Sequence, residues 1–291
     1  MTTISVIVTS YNYEQYISRT LDSLVNQTYK DFEVIIVDDG SKDNSVKIIK
    51  EYVSKYPNFY LYMHENNENK GLVESMQLGL SKAQSEWIAF LESDDYWRQD
   101  YLQEKINYIN TNPESVIIIN DIEIEGDRSH NEYIESVRKL HMKNKKNCFK
   151  QMYDGNVIGT FSCVMIKTNI IKNLDFNTPI PAWLDWWLWL QVAIKYPISF
   201  VDKKLTVWNR HEGSYITVDS KKNEEKQGIF RNRYKKLLFK KFKFYYIKFK
   251  LFENLKNILQ DIFSIKNSKD KKYKIITILK FQFRLKKIKN L

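Results

Sequence analysis

Two patterns of apolar residues alternate through the first part of the chain. Short, nearly continuous apolar runs rich in Val and Ile are typical of buried strands, and they alternate with longer stretches in which apolar residues recur at helical spacing. This alternation predicts the doubly wound α/β class, a largely parallel sheet with helices on both faces. The predicted strands are 5–10, 34–39, 59–65, 87–93 and 116–121, and the predicted helices are 14–26, 43–55, 72–84 and 99–110.

The pattern becomes less regular in the next segment. Residues 125–150 are polar and weakly periodic, so they predict a long excursion that is either functional or disordered. Regular elements then return: a strand at 159–167, an aromatic helix at 183–196 and the last strands at 198–210. We therefore expect the α/β body to end near residue 215.

The last quarter of the chain, residues 216–291, is predicted to be a separate basic, α-helical region. Between residues 231 and 263, Lys and aromatic residues recur at helical spacing, and residues 271–290 repeat this mixture. Lysine interrupts the apolar runs, so neither segment is predicted to span a membrane. The first segment has an apolar stripe of Leu238, Phe242, Tyr245, Phe249, Phe252 and Leu259, with Lys236, Lys240, Lys243 and Lys250 on the far side.

The formal net charge of +11 is unevenly distributed along the chain. Residues 216–291 carry 23 Lys and Arg against 6 Asp and Glu, which gives +17 and leaves −6 for residues 1–215. Such a tail favours a polyanionic partner. No nucleic-acid recognition fold accompanies the charge, so we expect an anionic membrane surface rather than nucleic acid. Two alternatives stay open: the helices pack on the acidic body, or they bind another subunit.

Two features of the sequence favour the cytoplasm. Its two cysteines, Cys148 and Cys163, form no CxxC pair and no dense framework, as expected in a reducing compartment. The apolar stretch at the N-terminus is too short for a membrane span and lacks the basic region and cleavage site of an export signal. Together with the basic tail, this predicts a cytoplasmic protein that associates peripherally with the inner face of the cell membrane.

Two acidic clusters follow predicted strands, where an α/β fold places its ligand site. Residues 38–41 (Asp-Asp-Gly-Ser) end the second strand, and they are also compatible with an ordinary helix N-cap. Residues 92–95 (Glu-Ser-Asp-Asp) place three acids within four positions, which repel one another unless a cation or hydrogen-bond donors offset the charge. Mn²⁺ or Mg²⁺ held by such carboxylates and by phosphate oxygens could stabilise a leaving diphosphate. Solvated acids in a turn are the alternative.

A third acid, Asp185, lies in the tryptophan-rich segment AWLDWWLWLQVA (182–193). Apolar surroundings disfavour the charged form of a carboxylate, so its basicity rises towards that of a general base. The neighbouring aromatic faces are also suited to stacking on sugar rings. The alternative is a helix cap, or an acid at the rim of a core that contains structural tryptophans.

Taken in order, these segments resemble the family 2 glycosyltransferases, whose GT-A fold is a Rossmann-like, mostly parallel sheet flanked by helices. The resemblance begins with SVIVTSYNYEQY and VIIVDDGS, continues through NENKGL, WIAFLESDDYW and PAWLDWWLWLQVA to VWNRHEGSYI, and covers about residues 3–216. It implies an inverting, metal-dependent enzyme that moves a sugar from a nucleotide sugar to a hydroxyl group. It also implies a nucleotide-sugar-binding half at 1–98 and an acceptor half at 99–215.

The resemblance also assigns roles to residues. Thr9 and Tyr11 match positions that hold the nucleotide base and ribose, and Asp39 matches an acid that hydrogen-bonds a uracil edge, which implies a UDP-linked donor. Asp94 and Asp95 match the DxD-type metal site. Asp95 is implied to ligate Mn²⁺ or Mg²⁺, and Asp94 to hold the ribose or donor sugar beside it.

Three further positions complete the implied site. Glu92 stands where relatives often have Asp, and its longer side chain leaves its direct role open. Asp185 matches the catalytic base of inverting members, although Leu184 precedes it where relatives frequently have Glu. His211 matches a histidine that can complete the metal shell.

These expectations combine in one functional prediction: transfer of a sugar to a glycan or lipid-linked oligosaccharide during synthesis of a surface polysaccharide such as capsule or lipopolysaccharide. A sugar-1-phosphate nucleotidyltransferase would carry a glycine-rich phosphate loop after the first strand, and TSYNYEQY has no glycine. A catalytically inactive glycan-binding or membrane scaffold protein is the other alternative, but the four aspartates named above are intact. The sequence predicts neither the sugar, nor the linkage, nor the oligomeric state.

Overall fold

A computed structural model describes residues 3–126, 149, 152–153, 155–178 and 180–213 of the body of the chain. In the last part it describes residues 232, 235–236, 239, 243, 247–248, 250–251, 254–255, 263–267, 273–278 and 281–286. Most of the predicted excursion at 125–150 lies outside these residues.

The strands and helices of the body alternate as the apolar pattern predicts. The strands are β1 (Ile4–Ser10), β2 (Phe32–Asp38), β3 (Phe59–Met63), β4 (Trp87–Phe90), β5 (Tyr96–Trp97), β6 (Ile117–Gly126), β7 (Val164–Lys167) and β8 (Ser199–Arg210). The α-helices are α1 (Ile17–Val25), α2 (Ser45–Lys55), α3 (Leu72–Lys82), α4 (Tyr101–Thr111), α5 (Thr168–Ile171) and α6 (Leu184–Ala193). Short 3₁₀ turns occupy Glu65–Asn67, Phe161–Cys163 and Pro181–Trp183.

The eight strands form one sheet in the order β3-β2-β1-β4-β7-β6-β8-β5. Neighbours from β3 to β4 are parallel, β7 is antiparallel to both β4 and β6, β8 is parallel to β6, and β5 is antiparallel to β8. The predicted α/β class is confirmed, although the sheet is mixed beyond β4 and the predicted last strands at 198–210 form one long strand, Ser199–Arg210. The carboxyl ends of β1, β2 and β4 therefore share one edge, where a ligand site is expected.

Alternate residues of β1 pack on opposite faces of the sheet. Val6 and Val8 are fully buried in the apolar cluster that contains Leu21 of α1. Ile7 points to the other face, where a Cβ added to Gly79 of α3 would lie 2.8 Å from Cγ2 of Ile7. Glycine at this position lets α3 approach β1 closely, so helices cover both faces of the sheet.

The chain divides into two units, Met1–Lys226 and Gln227–Leu291. Residues 214–226 lie outside the described residues, so the predicted boundary near residue 215 stays a prediction. In the second unit the described residues between 232 and 255 are helical, while the predicted apolar stripe lies outside the described residues. Within the part that the structure describes, no helix combines the length and apolar character needed to cross a bilayer.

The helical prediction was wrong for the end of the second unit, which contains strands. Strands β9 (Phe263–Asn267), β10 (Tyr273–Ile278) and β11 (Phe281–Lys286) form an antiparallel sheet with β10 in the centre. The sequence of β11, FQFRLK, alternates apolar and polar residues with the period of a strand, and β10 is rich in β-branched residues. The basic character of 271–290 had suggested a second amphipathic helix, but charge content alone does not set the period.

Candidate active site

The residues predicted to bind the nucleotide lie at the carboxyl ends of β1 and β2. Thr9 is near the end of β1, and Tyr11 follows it with 44% of its surface exposed. Asp39 lies beside this strand end because its backbone N–H donates to the carbonyl oxygen of Ser10 (2.8 Å). These three residues therefore share one edge of the sheet.

The loop before α3 holds the Asp39 carboxylate. Its oxygens accept the backbone N–H groups of Lys70 (2.8 Å) and Gly71 (2.9 Å). The Nε2 atom of His64 lies 3.5 Å from Oδ1 of Asp39 and 2.8 Å from Oγ of Ser75. His64 was not predicted, because a single histidine outside a motif gives no signal in the sequence.

Asp38, in contrast, caps the turn that follows β2. Its two carboxylate oxygens accept the backbone N–H (2.8 Å) and the hydroxyl (2.6 Å) of Ser41. Gly40 has a φ of 80°, and a Cβ there would lie 2.7 Å from the carbonyl oxygen of Asn67. Asp38 therefore caps a turn and not a helix, since α2 begins at Ser45 with Asn44 at its N-cap position. Glycine at position 40 allows this turn to pack against the loop that holds Asp39.

Asp95 lies in the loop after β4 and is fully buried. Its oxygens accept the backbone N–H of Asn209 (3.0 Å) and the hydroxyl of Thr160 (3.1 Å). Burial first, and then the charges of Asp94 and Glu92, raise the pKa of Asp95 well above its usual value. Both oxygens accept protein donors, and the direct contact of Asp95 with a metal ion stays a prediction.

Glu92 is half-buried and also hydrogen-bonds to the Thr160 hydroxyl. Burial, followed by the charge of Asp94, raises the pKa of Glu92 to about 8, and the charge of Asp185 adds to this rise. This contribution indicates that the Asp185 carboxylate lies near the acidic cluster. A carboxyl group with this pKa carries a proton at neutral pH, which reduces the repulsion within the cluster.

Asp94 faces His211, which directly follows β8. Its Oδ2 atom lies 3.1 Å from Nε2 of His211, and both side chains are largely buried. The His211 ring stacks on Tyr16 with centroids 4.3 Å apart, and Tyr13 meets it edge-on at 5.9 Å. Burial and the charges of Asp94 and Glu92 raise the pKa of Tyr13, so its phenol stays neutral. The two tyrosines were not assigned roles from the sequence.

The Asp94–His211 pair fits a divalent cation. A carboxylate oxygen and an imidazole nitrogen both ligate such ions, and Mg²⁺ is commonly held by one or two carboxylates plus substrate phosphates. Across the described ranges, no three His, Cys, Asp or Glu side chains are grouped as a metal site. Two protein donors leave the remaining coordination positions to substrate oxygens.

Asp185 lies in the first turn of α6. Its Oδ1 accepts the backbone N–H of Trp186 (2.6 Å), and its Oδ2 accepts the side-chain amide of Asn156 (2.5 Å). Burial raises the pKa of Asp185 to about 6, and these hydrogen bonds oppose the rise. Such a carboxylate is largely ionised at neutral pH and is more basic than an exposed one, as a general base requires.

The tryptophans around Asp185 are largely structural. Trp186 and Trp187 are buried, and the indole N–H of Trp187 donates to the carbonyl oxygen of Asp175 (2.5 Å). Trp183 is half-buried, with its ring centroid 5.9 Å from that of Trp186. The core alternative therefore describes most of these tryptophans, and their packing fixes the position of α6.

The loop after β1 links the two groups of predicted site residues. The backbone N–H of Asn12 donates to Oγ of Ser41 (2.9 Å) beside the Asp39 turn, and Tyr16 stacks on His211 beside Asp94. We call Thr9, Tyr11 and Asp39 the nucleotide group, after their predicted role, and we call Glu92, Asp94, Asp95, Asp185 and His211 the acidic group. The structure thus places these two groups next to each other.

Comparisons with known proteins bear on the family and the fold of the chain. The model of the family described as Glycosyl transferase family 2 matches residues 5–175. An uncharacterized glycosyltransferase of Haemophilus influenzae is 37% identical over 112 residues, which are 38% of this chain and 44% of that relative. The chain thus matches less than half the length of this curated relative.

Two solved structures share the fold. S. aureus TarS (residues 1–349, in complex with UDP-GlcNAc) gives a TM-score of 0.57 at 24% identity, covering 74% of this chain and 60% of TarS. The mannosyltransferase PcManGT from Pyrobaculum calidifontis, in complex with GDP-Man and Mn²⁺, gives 0.57 at 17% identity, covering 74% and 59%. These likenesses establish the GT-A architecture. Because the family match covers more than half of the 291 residues, the chain belongs to glycosyltransferase family 2.

Proposed function

We propose that this glycosyltransferase inverts the configuration of a sugar as it transfers it from a UDP-linked donor to a hydroxyl of a glycan or lipid-linked acceptor. One observation carries the proposal: Asp185, a carboxylate with a raised pKa, acts electrostatically on Glu92 in the acidic cluster, next to the nucleotide group. In this proposal a base and a site for a leaving diphosphate share one cleft.

In this proposal the donor lies along the carboxyl ends of β1 and β2. Thr9 and Tyr11 hold its base and ribose, and the Asp39 carboxylate accepts an N–H group of the base. TarS, which shares the fold, was solved with UDP-GlcNAc, and PcManGT with GDP-Man. Both support a nucleoside-diphosphate sugar, and the carboxylate at position 39 is our reason for choosing uracil.

Asp94 and His211 would hold Mn²⁺ or Mg²⁺ beside the diphosphate, as the donor set allows. The ion, when bound, supplies positive charge that stabilises the departing diphosphate. Asp95, the metal ligand implied by the motif, also has a structural role in this proposal. Its hydrogen bond to the backbone of Asn209 keeps the end of β8, and therefore His211, next to the acidic cluster.

Asp185 acts as the general base. It accepts the proton of the acceptor hydroxyl while that oxygen attacks the anomeric carbon from the face opposite the nucleotide, so configuration is inverted. Trp183 is half-buried beside Asp185 and offers an aromatic face on which an acceptor sugar can stack.

The second unit suggests where the acceptor lies. Its described helical residues include exposed lysines, such as Lys236 and Lys243. They also include exposed apolar side chains, such as Leu251 and Leu255, which have 57% and 58% of their surface exposed. We propose that this unit associates with an anionic membrane surface on its cytoplasmic side, where a lipid-linked acceptor of surface polysaccharide synthesis would be presented.

The test is nucleotide release from a panel of UDP- and GDP-sugars, with Mn²⁺ or with EDTA, and with a mixture of glycan and lipid-linked acceptors. We expect metal-dependent release of UDP from one donor. Asp94→Asn should abolish it, while the matched change Asp202→Asn, at an exposed acid on β8, should leave it intact. Release of no nucleotide from any donor, with any acceptor, would instead support the catalytically inactive scaffold.

A further inference from the structure

Asn156 lies in the segment before β7 and belongs to none of the motifs that indicate the site. Its side-chain amide donates to Oδ2 of Asp185 over 2.5 Å. We propose that Asn156 is a positioning residue for the Asp185 base: it fixes the direction in which this carboxylate meets the acceptor hydroxyl. The inference rests on the proposed function, because it assumes that Asp185 takes a proton from the acceptor.

The orientation of the Asn156 amide is itself fixed. Its Oδ1 accepts the backbone N–H of Ile158 (3.2 Å). An asparagine side chain has an acceptor at one end and a donor at the other, so this bond turns the NH₂ group towards Asp185. The direction of the Asn156 NH₂ group is therefore fixed by its own segment before any substrate binds.

The two oxygens of Asp185 are held by different elements. The backbone N–H of Trp186, in α6, donates to Oδ1, and Asn156 donates to Oδ2. With both ends fixed, rotation of the carboxylate is restricted, while an ionised carboxylate retains further lone pairs to accept the acceptor proton. The geometry is that of a base aligned in advance by its surroundings.

Asn156 is not needed to attach its segment to α6. The indole N–H of Trp186 donates to the carbonyl oxygen of Met152, which ties the two elements together separately. The hydrogen bond from Asn156 also favours the charged form of Asp185, in opposition to burial. Its effect should therefore appear in the chemical step rather than in folding.

The decisive variant is Asn156→Asp. It is nearly isosteric and keeps an oxygen for the Ile158 N–H, but it replaces the donor to Asp185 with an acceptor. We expect kcat to fall roughly 10- to 100-fold, with the donor KM within about twofold of the wild type because the donor site is untouched. The matched control is Asn58→Asp, which removes a similar amide donor to the Phe32 carbonyl far from the cleft. It should leave kcat unchanged.

Measuring Asp185→Asn in parallel distinguishes failure of this inference from failure of the proposed function. If Asn156→Asp keeps the wild-type kcat while Asp185→Asn is inactive, this inference is wrong and the proposed function stands. If Asp185→Asn remains active, the base assignment and the proposed mechanism fail together. A fall in the melting temperature larger than that of Asn58→Asp, with kcat and donor affinity lost together, would indicate a structural role and overturn the inference. Asn156→Ser, which keeps a smaller donor, should recover part of kcat and distinguishes these cases if Asn156→Asp does not fold.

Discussion

Asp185 must be ionised to accept a proton, and its surroundings place the ionisation in an accessible range. Burial raises the pKa of Asp185 to about 6. Below this pH the base is protonated, so we expect kcat/KM to fall about tenfold for each pH unit below 6 and to level off above it. Initial rates at fixed Mn²⁺ from pH 5 to pH 8 provide the measurement. A flat profile would show that Asp185 is not the group whose ionisation controls the rate.

Asp185→Asn provides the matching residue-scale test. The amide keeps the size of the side chain but cannot accept the proton, so transfer should fall by a factor of about 100 or more above pH 6, and by less at lower pH, where the wild-type base is itself protonated. Donor affinity, measured by calorimetry with the UDP-sugar, should stay close to that of the wild type. Loss of donor binding would place Asp185 in the donor site instead.

Glu92 allows a prediction about stability. Burial raises its pKa to about 8 from a usual value of 4.5, so the folded protein binds this proton more tightly than the unfolded chain. The ionised form therefore destabilises the fold progressively as the pH rises from about 4.5 to 8. In EDTA, Glu92→Gln should raise the melting temperature at pH 8, and the difference should disappear near pH 4. Glu114→Gln, at an exposed glutamate, is the control, and the same gain there would contradict the prediction.

The positions of the acidic clusters could be predicted from the sequence, but the different roles of adjacent acids within a cluster could not. Asp38 and Asp39 are adjacent, yet Asp38 caps a turn while the loop before α3 holds Asp39. Likewise Asp95 is buried against Asn209 while Asp94 faces His211. The side-chain partners of Asp39, Asp94 and Asp95 lie more than 20 residues away in the chain, and a local pattern holds no information about them.

At the scale of elements, the contact between α3 and β1 sets how closely this helix packs on the sheet. A Cβ at Gly79 would lie 2.8 Å from Ile7 and 3.4 Å from Val37. Gly79→Val should therefore force α3 away from the sheet and lower the free energy of unfolding by about 1–3 kcal/mol. Urea denaturation measures this. Ser81→Val, at an exposed position of the same helix, carries the β-branched cost without the clash, and equal stabilities of the two variants would refute the packing argument.

The elements of the body could be predicted because their apolar periods are strong. The runs that became β1 and β2 are buried on both faces, and the helices between them have clear apolar stripes. The prediction was wrong at β10 and β11. The lysines there suggested an amphipathic helix, whereas apolar and polar residues alternate in FQFRLK with the period of a strand. Asn156 could not be predicted as a partner of Asp185, because 29 residues separate them.

At the scale of the whole molecule, charge is divided between an acidic first part and a basic last part. Residues 216–291 carry a formal charge of +17. Such a segment gains about 1 kcal/mol per basic residue close to an anionic lipid surface, and salt screens this attraction. A soluble acceptor would not need that attraction, whereas an acceptor anchored in a bilayer would. Membrane binding and catalysis on a soluble acceptor should therefore be separable.

Lys236, Lys243 and Lys250 test this separation. They lie seven residues apart, or about two helical turns, in the helical part of the second unit, so they share one side. Changing all three to Glu should weaken binding to anionic vesicles by about 100-fold or more, while turnover on a soluble acceptor stays unchanged. Lys47, Lys50 and Lys55, exposed on α2, provide a control with the same change in net charge. If both triple variants pellet with anionic vesicles as well as the wild type does, the second unit has a different partner, such as another subunit. If both lose binding equally, total charge rather than this helical face attracts the membrane.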